Sequence, residues 1–187
     1  MSSVGIICEY NPFHNGHLYH LQKVREMFPE STIVLIMSGN FTQRGDTSII
    51  NKWDKTEIAL HYGVDLVVEL PFVFATQGAD IFAKASIEIL DLLNVDYLVF
   101  GSESNNIEKL TEMAKIQLES KKYHNLVKEY LDNGVNYPTA LSNALVDLTG
   151  KKINQPNDIL GITYIREILK LKSKIKPLTI KRNNNYN

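Results

Sequence analysis

The chain has 187 residues, of which 44% are hydrophobic and 22% are charged, and its net charge is −1 at pH 7. This length and composition are typical of one globular domain with a sizeable core. A net charge near zero excludes a strong overall attraction to nucleic acid or membrane and leaves room only for a local basic patch.

The single cysteine, Cys8, cannot form an intramolecular disulfide, and no apolar run reaches the length of a transmembrane helix. Met1-Ser2-Ser3 leads directly into an apolar run, and no secretory signal opens the sequence. We therefore expect a cytoplasmic protein without a membrane partner.

Strand and helix patterns alternate along the first hundred residues. They predict a strand at 4–8, a helix from 14–17 to about 28, a strand at 32–37, a loop at 38–46, a helix at 52–62, a strand at 64–69, a helix from 78 or 80 to 93, and a strand at 97–100. The second half is more helical, with one or two helices between 107 and about 131, helices at 138–148 and 157–171, a stretch at 177–180 that suits a fifth strand, and a frayed polar tail at 183–187.

This alternation predicts an α/β fold with a parallel sheet of about five strands and helices on both faces. Ligands of such sheets bind at the carboxyl ends of the strands, near a topological switch. Polar, glycine-containing or charged segments follow four predicted strands, at residues 9–17, 38–46, 69–80 and 101–106. We therefore predict a ligand site at that edge.

The segment His14-Asn15-Gly16-His17 opens the first helix directly after the first strand. A helix N-terminus offers backbone N–H groups to an anion, and two histidines three residues apart can point the same way. We favour a phosphate clamp, in which imidazole N–H groups bind nucleotide phosphates and stabilise charge at the reacting phosphorus. The alternatives are a pair that caps the helix and a metal pair, which no cysteine cluster or nearby Glu-x-x-His supports.

Four further residues near the predicted strand ends have two interpretations each. Gly16 either admits a close ligand or is an ordinary glycine at a helix start. His20, one turn after His17, faces either the same ligand or solvent. Gly101 either lets a base or ribose lie against the backbone or forms a tight turn, and for Cys8 we favour core packing over a nucleophilic role.

Several charged residues are weaker candidates. Arg44 and Lys52 could meet phosphate or a nucleic-acid backbone, although single charges of this kind are more often solvated. Glu69 and Asp80 could hold magnesium through water, but for Asp80 we favour a helix N-cap. The adhesion tripeptide at 44–46 carries little weight without a secretory signal.

The segment at 14–17 is similar to the His-x-Gly-His signature of the nucleotidylyltransferase superfamily, whose members have a Rossmann-like fold. The longer segment 9–17 resembles the bacterial tRNA(Met) cytidine acetate ligase family, as do residues 37–45, 51–53, 63–71, 100–103 and 156–161. The resemblance extends along nearly the whole chain.

This resemblance implies an enzyme in which acetate attacks the α-phosphorus of ATP, giving acetyl-adenylate and pyrophosphate, with Mg²⁺ accompanying the ATP. The acetyl group then passes to N4 of the wobble cytidine of elongator tRNA(Met). By the family's pattern His14 and His17 are catalytic. The implied ATP-binding residues are Ile7, Cys8, Glu9, Tyr10, Asn11, Pro12, Phe13, His14, Asn15, Gly16, His17, Leu18, Tyr19, His20, Gly101, Asn157 and Arg182.

Members of that family extend beyond residue 187, and the superfamily's second signature, a Ser/Thr-rich segment ending in arginine, would follow the fifth strand. We therefore expect an N-terminal nucleotidyltransferase-like domain at 1–182, with a helical section at about 104–172 and tRNA binding that needs a downstream region. Two alternatives stay open: an adenylyltransferase for a small phosphorylated metabolite, and a non-catalytic nucleotide-binding module.

Overall fold

A parallel sheet of five strands forms the centre of the computed structural model, which describes residues 2–182. The spatial order is β3-β2-β1-β4-β5, and every neighbouring pair is parallel. The strands are β1 (Ser3–Cys8), β2 (Thr32–Ser38), β3 (Leu66–Leu70), β4 (Tyr97–Ser102) and β5 (Lys176–Lys181). The predicted fold class is confirmed, and the fifth strand is present.

Helices connect the strands and cover both faces of the sheet. They are α1 (Asn15–Met27), α2 (Lys52–His61), α3 (Phe72–Ala75), α4 (Ala79–Leu92), α5 (Ile107–Glu119), α6 (Lys121–Asp132), α7 (Tyr137–Thr149) and α8 (Pro156–Leu171). The region predicted as one or two helices is two, because Ser120 caps α6 through a hydrogen bond from the backbone N–H of Tyr123. The short helix α3 was not predicted. In the described part of the chain no helix is long and apolar enough to cross a bilayer.

Two hydrophobic cores lie on opposite faces of the sheet because side chains alternate along each strand. In β2, Ile33 and Leu35 pack into the core beneath α1 and α2, whereas Val34 and Ile36 pack into the core formed with α4, α5, α7 and α8. A strand buried on both faces is a continuous apolar run, as 32–37 is in the sequence.

Polar side chains fix several helix starts. The Asn51 carboxamide accepts hydrogen bonds from the backbone N–H groups of Trp53 and Asp54 at the start of α2. The N-cap predicted for Asp80 is wrong, because Gly78 occupies that position in α4. Asp80 instead accepts a hydrogen bond from the Arg166 guanidinium at 2.6 Å, and this ion pair ties α4 to α8.

The strand order places the topological switch between β1 and β4. The chain leaves β1 toward β2 and β3 on one side, and β4 then returns to pair with the opposite edge of β1. A crevice at such a point is the usual ligand site of an open α/β sheet. The sheet therefore directs attention to the carboxyl ends of β1, β4 and β5.

A close packing contact joins α8 to the sheet beside this crevice. A Cβ atom at Gly161 would lie 2.3 Å from Cε2 of Phe100, with two further ring atoms within 3.1 Å. The Phe100 ring also meets Tyr164 edge-on, at 5.8 Å between centroids. Only glycine lets α8 approach β4 so closely.

We expect Gly161→Ala to lower the free energy of unfolding by about 1–3 kcal/mol, because the overpacked Phe100 ring must move. Urea-induced unfolding followed by circular dichroism measures the effect. Gly78→Ala is the matched control, since a Cβ there meets no atom within 4 Å; because alanine is a poorer N-cap than glycine, it should cost about 1 kcal/mol or less. Equal stability of both variants would contradict the packing argument.

Candidate active site

A cavity of about 630 Å³ opens at the carboxyl edge of the sheet, over the switch between β1 and β4. Its walls come from the ends of β1, β4 and β5, the first turns of α1 and the start of α8. The lining residues are Ile7, Cys8, His14, Gly16, His17, Tyr19, His20, Phe100, Gly101, Asn157, Leu160, Tyr164, Ile180, Lys181 and Arg182.

The loop between β1 and α1 is held from outside the cavity. The Asn11 side-chain oxygen accepts hydrogen bonds from the backbone N–H of Ile49, at 2.7 Å, and from the Ser48 hydroxyl. The Phe13 ring stacks on Tyr62 with 4.8 Å between centroids. These contacts anchor the loop on the segment before α2 and on the end of that helix, and so fix where α1 begins.

His14 and His17 cap α1 reciprocally. Nδ1 of His14 accepts a hydrogen bond from the Gly16 backbone N–H at 3.0 Å, and Nδ1 of His17 accepts one from the His14 N–H at 3.3 Å. An imidazole nitrogen that accepts carries no proton, so each neutral ring bears its proton on Nε2. The capping interpretation is therefore correct for both Nδ1 atoms, while both Nε2–H groups remain as donors.

This arrangement changes the basis of the predicted phosphate site. The Gly16 N–H, one of the free N–H groups expected at the start of α1, is already bonded to His14. The two rings lie face to face, with 3.8 Å between centroids and 26° between planes. The donors that this helix start would offer to an anion are therefore a pair of imidazole N–H groups more than the backbone.

The cavity keeps two histidines uncharged. Burial, reinforced by His14, His20 and Arg182, lowers the pKa of His17 to about 3. Burial and the nearby Arg182 lower the pKa of His20 to about 4. Neutral imidazoles retain the Nδ1 acceptor on which the cap depends, so burial and capping support the same protonation state.

Cys8 lines the cavity floor but is a poor nucleophile. Burial raises the pKa of its thiol to about 12, against a smaller lowering by Tyr10. Because the thiolate is the reactive form, Cys8 stays an inert thiol at neutral pH. Tyr10 itself is only 1% exposed and packs against the His17 ring at 4.6 Å between centroids.

The opposite wall is built by β4, β5 and the start of α8. Gly101 lies inside β4, so of its two interpretations the tight turn is wrong; a Cβ there would meet Cγ of Arg182 at 3.2 Å. The Asn157 amide donates to the Glu103 carboxylate at 2.6 Å, which leaves its oxygen free to accept. Two exposed cations belong to this wall. The Lys181 ammonium donates to the Glu103 carbonyl at 2.7 Å, whereas within residues 2–182 the Arg182 guanidinium makes no hydrogen bond.

Ten of the seventeen predicted ATP-binding residues meet in this cavity: Ile7, Cys8, His14, Gly16, His17, Tyr19, His20, Gly101, Asn157 and Arg182. The other seven are absent from its wall: Glu9, Tyr10, Asn11, Pro12, Phe13, Asn15 and Leu18. Several of these seven support the loop, as Asn11 and Phe13 do, and their contact with ATP stays a prediction. His20 belongs to the wall and is not solvated as one interpretation had it.

Five lining residues were missed by sequence reasoning: Phe100, Leu160, Tyr164, Ile180 and Lys181. Leu160 and Tyr164 belong to the apolar stripe of α8, which indicates a core helix and says nothing about a cavity. Position was the available signal for Phe100, Ile180 and Lys181, because they end strands at the edge where the site was expected.

Lys55 is a buried lysine at the same edge, and sequence reasoning also missed it. It is 1% exposed, and its ammonium donates to the carbonyls of Glu9, Ser38 and Gly39 at 3.0, 2.8 and 2.7 Å. Burial lowers its pKa, while the carboxylates of Glu9 and Glu69 oppose that shift. Lys55 thus joins the carboxyl ends of β1 and β2 to α2.

The weaker charged candidates lie outside the main cavity. Arg44 is exposed, and Lys52 forms an ion pair with Glu69 at 2.7 Å. Across residues 2–182 there is no group of three or more His, Cys, Asp or Glu side chains that could hold a metal ion. The described chain thus offers no protein cage for Mg²⁺.

Comparison with known proteins agrees with the fold. A family model described as HIGH Nucleotidyl Transferase matches residues 1–187. The tRNA(Met) cytidine acetate ligase of Caldicellulosiruptor bescii is 50% identical over 184 residues, covering 97% of this chain and 46% of the relative. The ligase of the same name from Acetivibrio thermocellus is 47% identical over 196 residues, covering 100% of this chain and 47% of the relative.

Among solved structures, the crystal structure of Thermotoga maritima TmcAL bound with alpha-thio ATP is similar, with a TM-score of 0.93 and 44% identity. The match covers 98% of this chain and 47% of that chain. The chain therefore spans about half the length of the curated relatives it matches. These similarities confirm the resemblance inferred from the sequence.

We expect Lys55→Met to destabilise the fold by about 3–5 kcal/mol, because it leaves three buried carbonyls without their donor. Lys52→Met is the matched control on the same helix. It removes one partly exposed ion pair, which should cost less than about 1 kcal/mol. Unfolding in urea compares the two, and a small loss for Lys55→Met would show that water replaces the ammonium.

The lowered histidine pKa values also predict a pH dependence. The unfolded chain binds protons near pH 6.5, whereas His17 and His20 resist them until about pH 3 and 4. The stability they contribute is complete above pH 6.5 and is lost as the pH falls toward those values, by about 1–2 kcal/mol for each histidine at pH 5.

His20→Gln should reduce this loss between pH 7.5 and 5, as measured by urea unfolding at both values. The control is His61→Gln, which replaces an exposed histidine at the end of α2. An unchanged pH dependence in His20→Gln would contradict a neutral, buried His20.

Proposed function

The chain belongs to the HIGH nucleotidyl transferase family, and on that basis we propose that its main cavity binds ATP and activates acetate as acetyl-adenylate. We further propose that the acetyl group is destined for N4 of the wobble cytidine of elongator tRNA(Met), in the cytoplasm. The curated relatives carry the name tRNA(Met) cytidine acetate ligase, and the similar Thermotoga structure has alpha-thio ATP bound.

One observation carries the proposal: the paired caps leave both Nε2–H groups of His14 and His17 as donors in the cavity wall. Arg182 adds a cation at the same cavity. Donors held in place before the reaction stabilise charge that develops on phosphate oxygens without reorganising. We assign His14 and His17 to the α-phosphate and Arg182 to the polyphosphate.

The chemistry of the first step needs little more from the protein. A carboxylate oxygen of acetate attacks the α-phosphorus, the bond to the bridging oxygen breaks, and pyrophosphate leaves. Acetate brings its own nucleophile, so the inert Cys8 thiol and the absence of a Ser/His/Asp arrangement in the sequence are consistent with the reaction. Phosphoryl-type transfer depends mainly on positioning and on neutralising charge.

In the second step the N4 amine attacks the acetyl carbonyl carbon, AMP leaves, and N4 loses one proton.

Other groups contribute to binding. The Asn157 oxygen, left free by the bond from its amide to Glu103, would accept a hydrogen bond from the nucleotide. We expect Mg²⁺ to be carried by the ATP phosphates and by water. Binding of tRNA is expected to need more protein than this chain, which has a net charge of −1.

An adenylyltransferase for a small phosphorylated metabolite would use the same histidines but would need a second anion site. Pyrophosphate release measured with acetate and with a panel of phosphorylated metabolites separates the two. A non-catalytic module would bind ATP in calorimetric titration and release no pyrophosphate with any acceptor.

We expect His14→Asn to separate capping from catalysis. Asparagine is a favourable N-cap acceptor, so the helix start should survive and stability should fall by less than about 1 kcal/mol. The shorter side chain cannot place a donor where Nε2 lies, so acetate-dependent exchange of pyrophosphate into ATP should fall about 10²–10³-fold.

His14→Ala loses the cap and the donor together and should be impaired in both measurements. The control, His61→Ala, changes an exposed histidine on α2 and should keep full exchange. Normal exchange in His14→Asn would remove His14 from the phosphate site.

A further inference from the structure

A second, smaller cavity lies on the other half of the carboxyl edge, at the ends of β2 and β3. Its volume is about 160 Å³, and its lining residues are Gly39, Asn40, Phe41, Glu69, Phe72 and Ala75. This is about a quarter of the volume of the main cavity, so it suits a single base ring and not a nucleoside triphosphate. Nothing in the proposed ATP site uses it.

Aromatic side chains form one side of this second cavity. Phe41 and Phe72 meet edge-on at 5.1 Å between centroids, and they remain 37% and 58% exposed. Large exposed rings at a cavity are costly to leave in water, and planar bases stack on such surfaces. The two rings therefore offer a stacking platform.

A hydrogen-bond acceptor and a donor stand free beside this platform. The Glu69 carboxylate uses Oε2 for the Lys52 ammonium, and Asn40 uses its side-chain oxygen for the Lys52 backbone N–H. No hydrogen bond within residues 2–182 involves Oε1 of Glu69 or Nδ2 of Asn40. The cavity thus presents one anionic acceptor and one amide donor.

Gly39 holds the acceptor in place by having no side chain. A Cβ at this position would lie 2.3 Å from Oε1 of Glu69 and 3.2 Å from its carboxyl carbon. The carboxylate can rest against the backbone of β2's end only because residue 39 is glycine.

The edge of cytosine matches this pair. Its N4 amino group donates, and carboxylates characteristically accept from it; the adjacent N3 accepts, as the Asn40 amide requires. Uracil reverses both positions, placing an acceptor against the carboxylate and a donor against the amide. We propose that the second cavity is the pocket for the acceptor cytosine, with Glu69 and Asn40 as its specificity-determining residues.

The sheet places this pocket within reach of the main cavity. Cys8 pairs with Met37 across β1 and β2, and Met37 pairs with Glu69 across β2 and β3. Adjacent strands are about 4.8 Å apart, so the backbones of Cys8 and Glu69 are roughly 10 Å apart. Cys8 lines the main cavity, so the two cavities are neighbours on the same edge of the sheet.

This inference rests on the proposed function for the identity of the base, but its test does not need turnover. The chain is saturated with ATP, which fills the main cavity, and is titrated with cytidine or uridine while ligand-observed NMR measures each Kd. We expect cytidine to bind at least about tenfold more tightly, because two hydrogen bonds are reversed in uridine.

Glu69→Gln should reduce the ratio of the two Kd values toward one, since a carboxamide can rotate to offer either its oxygen or its nitrogen. Gly39→Ala should do the same by displacing the carboxylate. The control is Glu88→Gln, because Glu88 is also paired with a lysine and its side chain is 47% exposed, as is that of Glu69.

Equal or absent binding of the two nucleosides, or an unchanged preference in Glu69→Gln, would overturn the pocket assignment. Acetate-dependent pyrophosphate exchange, measured on the same samples, should be equal in the unmodified chain and in the control Glu88→Gln. If the unmodified chain showed no exchange but kept its preference for cytidine, the proposed function would fail and the base pocket would stand.

Discussion

The two hydrogen bonds that the His14 and His17 rings accept at the start of α1 are the interaction on which the site depends. Each ring gives its Nδ1 to a backbone N–H of the first turn of α1, and this satisfies donors that every helix start leaves unpaired. The same bonds determine the tautomer and so assign the proton to Nε2. Capping and anion recognition, which the sequence presented as alternatives, are compatible in this geometry, because the cap uses Nδ1 and leaves the Nε2–H as a donor.

The position of that helix start depends in turn on buried polar contacts from α2 and the segment before it. Asn11 and Lys55 secure the two ends of the segment that precedes α1, one to the backbone near Ile49 and the other to the carbonyls of Glu9, Ser38 and Gly39. Lys55 also stands between the two cavities, because the carbonyls it binds belong to the ends of β1 and β2. The loop between β1 and α1 is therefore held in place by residues that lie 38 and 46 positions further along the chain.

Periodicity predicted the sheet, most helices and the edge that carries the site, since these depend on local apolar patterns. It could not predict Lys55, because a charged residue on an amphipathic helix is normally solvated and only the tertiary fold surrounds it with carbonyls. Gly101 could be interpreted as a turn because the residues near it in the sequence do not show that it pairs with Ile180 of β5. A histidine cap was one of the interpretations of His14 and His17. The sequence could not decide for it, because the usual capping pattern is Ser or Thr followed by Glu or Gln.

In this site the side chains that donate hydrogen bonds are different from the side chain that carries positive charge. Placing a cation on His17 or His20 would oppose both burial and the field of Arg182, and protonating Nδ1 would break the cap. The rings therefore act as neutral donors fixed toward the cavity, while the exposed Arg182 supplies positive charge where water can still solvate it. Because a neutral donor gains most when charge increases on the oxygen it faces, this division would, under the proposed function, favour the transition state for adenylate formation over bound ATP.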